Sequence, residues 1–171
     1  AAQGQGLAPL ELSATHLSPP RSRRRATLHA MRTKKGAILG FRESGSHTIV
    51  DLKQCEILHP DLMAHVNPLR RLVAEHGGRG ATDVGLALCD QGVDINLGQM
   101  PVEGLAVTEA LLDYARETGL ARLSVDHGYG PETIWEPKPA TVTFSGVPVA
   151  MPVGAFLQAT RHGQEALTEA V

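Results

Sequence analysis

At 171 residues, 42% of them hydrophobic, the chain is long enough for one ordinary domain or slightly more and apolar enough to bury a core. Two cysteines exclude a disulfide framework and suit a reducing cytoplasm, and no apolar run approaches the roughly 18 residues that a membrane-spanning helix needs. The net charge of −2 is unevenly laid: residues 1–50 carry eight Lys/Arg against Glu11 and Glu43, residues 51–171 eight against sixteen acids, which predicts a local polyanion site in the first third.

The chain opens Ala1-Ala2-Gln3-Gly4, without an initiator Met and without a charged segment followed by an apolar one. The expectation is an internal start with no secretion signal. Residues 1–9 read as a small, polar tail. Leu10, Leu12 and Ala14 alternate with Glu11, Ser13 and Thr15, which favours a short strand, and Ser18-Pro19-Pro20 breaks it.

Next comes the most informative stretch, Ser22 to Cys55. His29–Arg32 and Ala37–Phe41 are strand-like runs around a Thr33-Lys34-Lys35-Gly36 turn, which reads as a β-hairpin, with Ile49, Val50 and Leu52 as a third run. From Arg21 to Lys35 there are seven basic residues and no acid. Such like charges repel one another unless they are solvated or face a polyanion, and nucleic-acid phosphate is the commonest.

Beyond Cys55, Leu62, Val66, Leu69 and Val73 fall at helical spacing and His76-Gly77-Gly78 ends the helix. Val84, Leu86 and Leu88, then Val93, Ile95 and Leu97, form a second hairpin around Cys89-Asp90-Gln91-Gly92. A second helix carries Val107, Ala110, Leu111, Tyr114 and Ala115 on one face and ends at Gly119. Leu120–Val125 and Thr133–Trp135 read as strands, and Val142/Phe144 with Val147/Val149 as a short pair around Ser145-Gly146. The last ten residues read as a helix start with Ala166, Leu167 and Ala170 clustered. Hairpins with two or three interspersed helices predict an α+β class with mostly antiparallel sheet. A boundary is expected near Glu136-Pro137-Lys138-Pro139.

Other chemistries find little support. Eight histidines show neither helical H-x-x-x-H nor zinc spacing with the cysteines. Ser124 near Asp126-His127-Gly128 lacks a G-x-S-x-G elbow, and the glycines at 77–80 and 128–130 lack dinucleotide or P-loop spacing.

Arg23-Arg24-Arg25-Ala26, Gly40-Phe41-Arg42, Gly45-Ser46, Ile49-Val50-Asp51, Cys55, Ile57-Leu58 and Pro60 keep one order and spacing over about forty residues. This pattern resembles the central domain of the bacterial uracil-C5 RNA methyltransferases, nearest to those making 5-methyluridine in 23S ribosomal RNA. Phe156-Leu157-Gln158 is similar to the family's aromatic-x-Gln element. There the Gln contacts the target uridine, and an amide suits a uracil edge because it donates and accepts at once. Here Ala159-Thr160-Arg161 follows, where the family has a polar turn with Asn.

The resemblance implies a central RNA-recognition α+β domain over residues 10–136. Residues 137–171 would be the leading edge of a Rossmann-like AdoMet-dependent methyltransferase domain. It implies ribosomal RNA as partner, with no DNA and no membrane, a cytoplasmic monomer, and a role in rRNA processing. Arg23, Arg24, Arg25, Lys34, Lys35 and Arg42 would face RNA, with Phe156 and Gln158 at the edge of the substrate pocket. Cys55 would be the fourth ligand of a [4Fe–4S] cluster whose other three cysteines lie upstream in a longer parent, since such a cluster normally needs four thiolates. S-adenosyl-L-methionine would serve that parent. C5 methylation needs a thiolate that adds to C6 and a base that removes the C5 proton. In the family both lie downstream of the final helix, as does the AdoMet loop, so no catalytic residue is expected within this chain. The alternative is a stand-alone RNA-binding or assembly module without activity.

Overall fold

A computed structural model describes residues 15–170. The predicted strand at Leu10, Leu12 and Ala14, the tail before it and Val171 lie outside the described residues.

Seven strands make one sheet. They are β1 (Arg25–Thr33), β2 (Gly36–Arg42), β3 (Ile49–Asp51), β4 (Ala81–Cys89), β5 (Gly92–Gly98), β6 (Arg122–Asp126) and β7 (Pro131–Trp135), in the order 3-2-1-4-5-6-7. Every neighbouring pair is antiparallel except β5 and β6. Those two are parallel because helix α3 (Leu105–Glu117) carries the chain back across the sheet between them, and parallel neighbours need such a crossover. The mostly antiparallel α+β architecture is the one the alternating runs predict.

Both predicted hairpins form, and by the same device. Thr33 pairs with Gly36 around Lys34-Lys35, and Cys89 pairs with Gly92 around Asp90-Gln91. The closing glycines have φ of +128° and +132°, a conformation that other residues rarely adopt.

Strand alternation sorts the residues. Ala26, Leu28 and Ala30 of β1, Val84 and Leu86 of β4, and Val93, Ile95 and Leu97 of β5 point into one core. Against them pack α2 (Val66–His76), through Val66, Leu69, Leu72 and Val73, and α3, through Leu111, Tyr114 and Ala115. The short helix α1 (Pro60–Ala64) leads into α2 and adds Leu62; the single predicted helix is therefore broken at His65. His65 is buried and its Nδ1 lies 3.0 Å from the Tyr114 hydroxyl.

The opposite face of the sheet is polar. The residues there are Thr27, His29, Asp83, Gly85, Asp94, Asn96, Gly98, Arg122, Ser124 and Asp126, which the registers set side by side. A separate hairpin, β8 (Thr141–Phe144) and β9 (Val147–Ala150), adjoins this face. Ala140, Val142, Met151 and Leu157 form a second small apolar cluster with Cys89 and Ala121. Beneath it, Arg122 donates to both Asp94 carboxylate oxygens, at 3.0 and 2.7 Å, and to the Met151 carbonyl at 2.7 Å.

The last helix, α4 (Arg161–Glu169), is capped by the Thr160 hydroxyl, which accepts from the Gly163 N–H at 3.0 Å. It buries no residue, and Leu167 is 55% exposed, so the predicted apolar face finds no cover among the described residues. No described helix is long and apolar enough to cross a membrane.

Candidate functional site

The chain from Pro152 to Thr160 runs past the beginning of β1, and the two make a groove lined by Arg23, Arg25, Phe41, Phe156, Leu157 and Gln158. Two stretches more than 130 residues apart thus meet. The link is a backbone bond from the Arg24 N–H to the Ala159 carbonyl at 2.8 Å. The Arg25 guanidinium lies 5.2 Å from the centre of the Phe156 ring, a cation–π distance, and its Nη1 reaches the Leu157 carbonyl at 3.5 Å. Phe156 remains 75% exposed. An aromatic face left in water beside a guanidinium offers a stacking surface to a planar ring. The Gln158 side chain is half-buried, and its amide makes no hydrogen bond among the described residues.

The arginines do not act alike. Arg23 is exposed, with Nε donating to the Arg25 carbonyl at 3.0 Å. Arg24 is buried: its Nε donates to the Gln158 carbonyl at 3.1 Å and its Nη2 to the Gln164 side chain in α4. Burial, then the charge of Arg161, pulls its pKa below the ordinary guanidinium value. Its position thus departs from that of a phosphate contact, because the guanidinium is turned inward to hold the 158–164 segment. Arg21 is spent on the exposed Glu56 carboxylate at 2.8 Å.

Arg42, at the end of β2, lies two residues beyond the His29–Gly40 pair and so at the Arg25 end of the hairpin. Lys34 and Lys35 are exposed beyond the opposite end of β1, whose nine residues from Arg25 to Thr33 make eight steps. At about 3.3 Å per residue that is about 26 Å. The seven-charge run therefore does not form one patch.

Cys55 is half-buried and its Sγ accepts two backbone N–H bonds, from Ile57 and Leu58, each at 3.4 Å. Cys89 is buried in the second cluster, donates to the Gly92 carbonyl at 3.2 Å, and has its pKa pushed up by burial. Among the described residues no three of His, Cys, Asp and Glu converge on a metal position. The donors of this chain therefore do not fit a four-thiolate cluster by themselves.

Next to the groove, and sharing Arg25, Ala26 and Thr27 with it, a cleft of about 330 Å³ opens on the polar sheet face. Asp83, Gly85, Asn96 and Gly98 make its floor, with Asp126 and Gly128 at one side and Gly154 and Ala155 at the other. His29 Nδ1 pairs with Asp83 at 2.7 Å. Sequence reading singled out none of these floor residues. The signal was the outward half of the β4 and β5 alternation, which is polar or glycine at 83, 85, 94, 96 and 98.

No family model matches the chain. It is 41% identical over 98% of its length to an uncharacterized RNA methyltransferase of Zymomonas mobilis, covering 42% of that protein. It is 32% identical over its whole length to one of Brucella suis, covering 40% of it. A 23S rRNA (uracil(1939)-C(5))-methyltransferase of Pectobacterium atrosepticum is 31% identical over 66% of the chain and is itself covered to 26%. The chain is thus homologous, over its whole length, to a portion of RNA methyltransferases, and spans about two-fifths of the length of these two relatives.

Proposed function

We propose that this chain is the RNA-recognition portion of an AdoMet-dependent RNA (uracil-C5) methyltransferase acting on ribosomal RNA. The observation that carries the reading is the groove in which Arg23 and Arg25 meet Phe156 and Gln158. It combines cation, exposed aromatic face and free amide, the three elements that recognise phosphate, base plane and base edge of single-stranded RNA. The homology to RNA methyltransferases and the partial match to a 23S rRNA uracil-C5 enzyme support the same reading.

Within it, residues 10–136 are the recognition domain and residues 137–171 the leading edge of the methyltransferase domain. The separate β8–β9 sheet with its own small cluster supports that division. Arg23, Arg25 and Arg42 hold phosphate, Phe156 stacks, and Gln158 reads a uracil edge. Arg24 is a brace, and Lys34 and Lys35 form a second, distant contact. AdoMet supplies the methyl group in the longer protein. No residue of this chain is assigned to the transfer, and Cys55 gives one thiolate to an iron–sulfur cluster completed from elsewhere.

The test is fluorescence anisotropy with a single-stranded ribosomal RNA fragment across a salt series. For a fragment too short to reach Lys34 and Lys35, three phosphate contacts predict a log–log slope of about −2. The double variant Arg23→Glu/Arg25→Glu should weaken binding about tenfold or more and flatten that slope. Unchanged affinity in the double variant, or binding indifferent to salt, would overturn the assignment. Methyl transfer from AdoMet by the purified chain would overturn the division of labour.

A further inference from the structure

Two adjacent arginines hold three consecutive carbonyls. The oxygens of Leu157, Gln158 and Ala159 accept, in that order, from Arg25 Nη1 at 3.5 Å, Arg24 Nε at 3.1 Å and the Arg24 N–H at 2.8 Å. The stretch from Pro152 to Ala159 has no helix or strand of its own. Its one other backbone bond among the described residues runs from the Ala155 N–H to the Pro152 carbonyl. Its shape is therefore set from outside. Leu157 is buried in the second apolar cluster, whereas Phe156 before it is exposed and Gln158 after it is half-buried. With Leu157 anchored on one side and the arginines on the other, the two recognition side chains line the groove together.

The Arg24 guanidinium has a second hold. Its Nη2 donates to the side-chain oxygen of Gln164, in the first turn of α4. Gln164 lines a different cavity, with Thr143, Phe144 and Arg161, and no part of the groove. A guanidinium is a rigid plane whose donors keep a fixed angle to one another. Holding Nη2 at Gln164 thus fixes the direction in which Nε meets the Gln158 carbonyl. An ammonium, a single point on a flexible stem, transmits no such orientation.

We propose that Gln164 and Arg24 are positioning residues for base recognition: Gln164 orients the Arg24 guanidinium, and the guanidinium fixes the Gln158 backbone from which the reading amide projects. The proposal rests on the assignment of Gln158 to a base edge and extends it to two residues that do not touch RNA. A side chain whose backbone is ordered before binding has less freedom to lose on binding. The effect belongs to the base-dependent part of affinity. The phosphate-dependent part stays with Arg23, Arg25 and Arg42.

The experiment is fluorescence anisotropy of the whole chain with two probes of equal length, a short oligouridine and an abasic oligoribonucleotide. Gln158→Ala should weaken oligouridine binding about fivefold, the worth of one neutral hydrogen bond, and leave the abasic probe unaffected. Gln164→Leu should weaken oligouridine alone by about threefold, and Arg24→Lys should follow it, because retained charge does not restore the hold. The double variant Gln164→Leu/Gln158→Ala should bind no more weakly than Gln158→Ala, since both changes remove one contact. A merely structural loss would weaken both probes alike. That result, an additive double variant, or a Gln164→Leu chain that binds oligouridine as before would overturn the proposal and leave the reading of Gln158 standing. Equal affinity of the natural chain for the two probes, or a silent Gln158→Ala, would sink both.

Discussion

At Arg24 a buried guanidinium meets the Gln158 carbonyl and the Gln164 amide, while Arg23, one residue earlier, lies in solvent. Removing Arg24 leaves acceptors unpaired in a water-poor place, where hydrogen bonds to a charged group count for about 2 kcal/mol. Arg24→Ala should therefore lower stability in urea by about that amount, and Arg23→Ala by less than about 0.5 kcal/mol. RNA affinity should reverse the order once the folded fraction is matched.

His65 gives the molecule a pH response of definite sign. Its imidazole is buried against Tyr114, and burial lowers its pKa from 6.5, with Asp61 pulling weakly the other way. The same burial raises the Tyr114 phenol far above its usual range, so Tyr114 stays a neutral partner. Below pH 6.5 the unfolded chain takes a proton that the folded chain refuses. Stability is thus full above that pH and falls as pH drops through it, levelling once the folded histidine also protonates. Denaturation midpoints between pH 7.5 and 5.5 should decline in the natural chain, and His65→Phe should flatten the decline.

At the scale of elements, the β8–β9 hairpin is joined to the sheet by the Asp90-Gln91 turn, which bonds Thr141 and Thr143, and by Arg122. Its side chain and that of Asp94 are 6% and 5% exposed, and it also carries the Met151 carbonyl. Breaking a buried pair from one side strands a charge and costs about 3–5 kcal/mol, whereas replacing both partners by apolar groups is often neutral. Arg122→Met should destabilise by about 3 kcal/mol, with hydrogen exchange opening first at residues 140–151. The double variant with Asp94→Leu should recover most of the loss.

Taken whole, the molecule is a sheet with one greasy and one polar face, and the basic residues Arg23, Arg25 and Arg42 lie at one end of the β1–β2 hairpin with Lys34 and Lys35 at the other. The separation of about 26 Å along β1 has a consequence for RNA length. An oligonucleotide of about four residues should feel Arg23→Glu/Arg25→Glu but be indifferent to Lys34→Glu/Lys35→Glu. One of about twenty should lose affinity with both, as anisotropy at fixed salt would show. Equal loss with the short RNA would mean that the Lys34-Lys35 turn also reaches the groove.

Local patterns in the chain specify the hairpins, the described strands and the α+β class. Alternation in Val84-Leu86 and Val93-Ile95-Leu97, glycine after each two-residue turn and the helical stripe of α2 are local signals, written within a few residues of where they act. The Arg23–Arg25 run and Phe156-x-Gln158 were legible too, as types of residue. Which of them share a surface is set by the packing of the whole fold. Burial of Arg24, the meeting of Arg25 with Phe156, the distance to Lys34, the exposed face of α4 and the cleft on the polar face all depend on contacts between stretches far apart in the chain. Such contacts follow from the packing of one face of the sheet, and local periodicity carries no record of what the other face is left to meet.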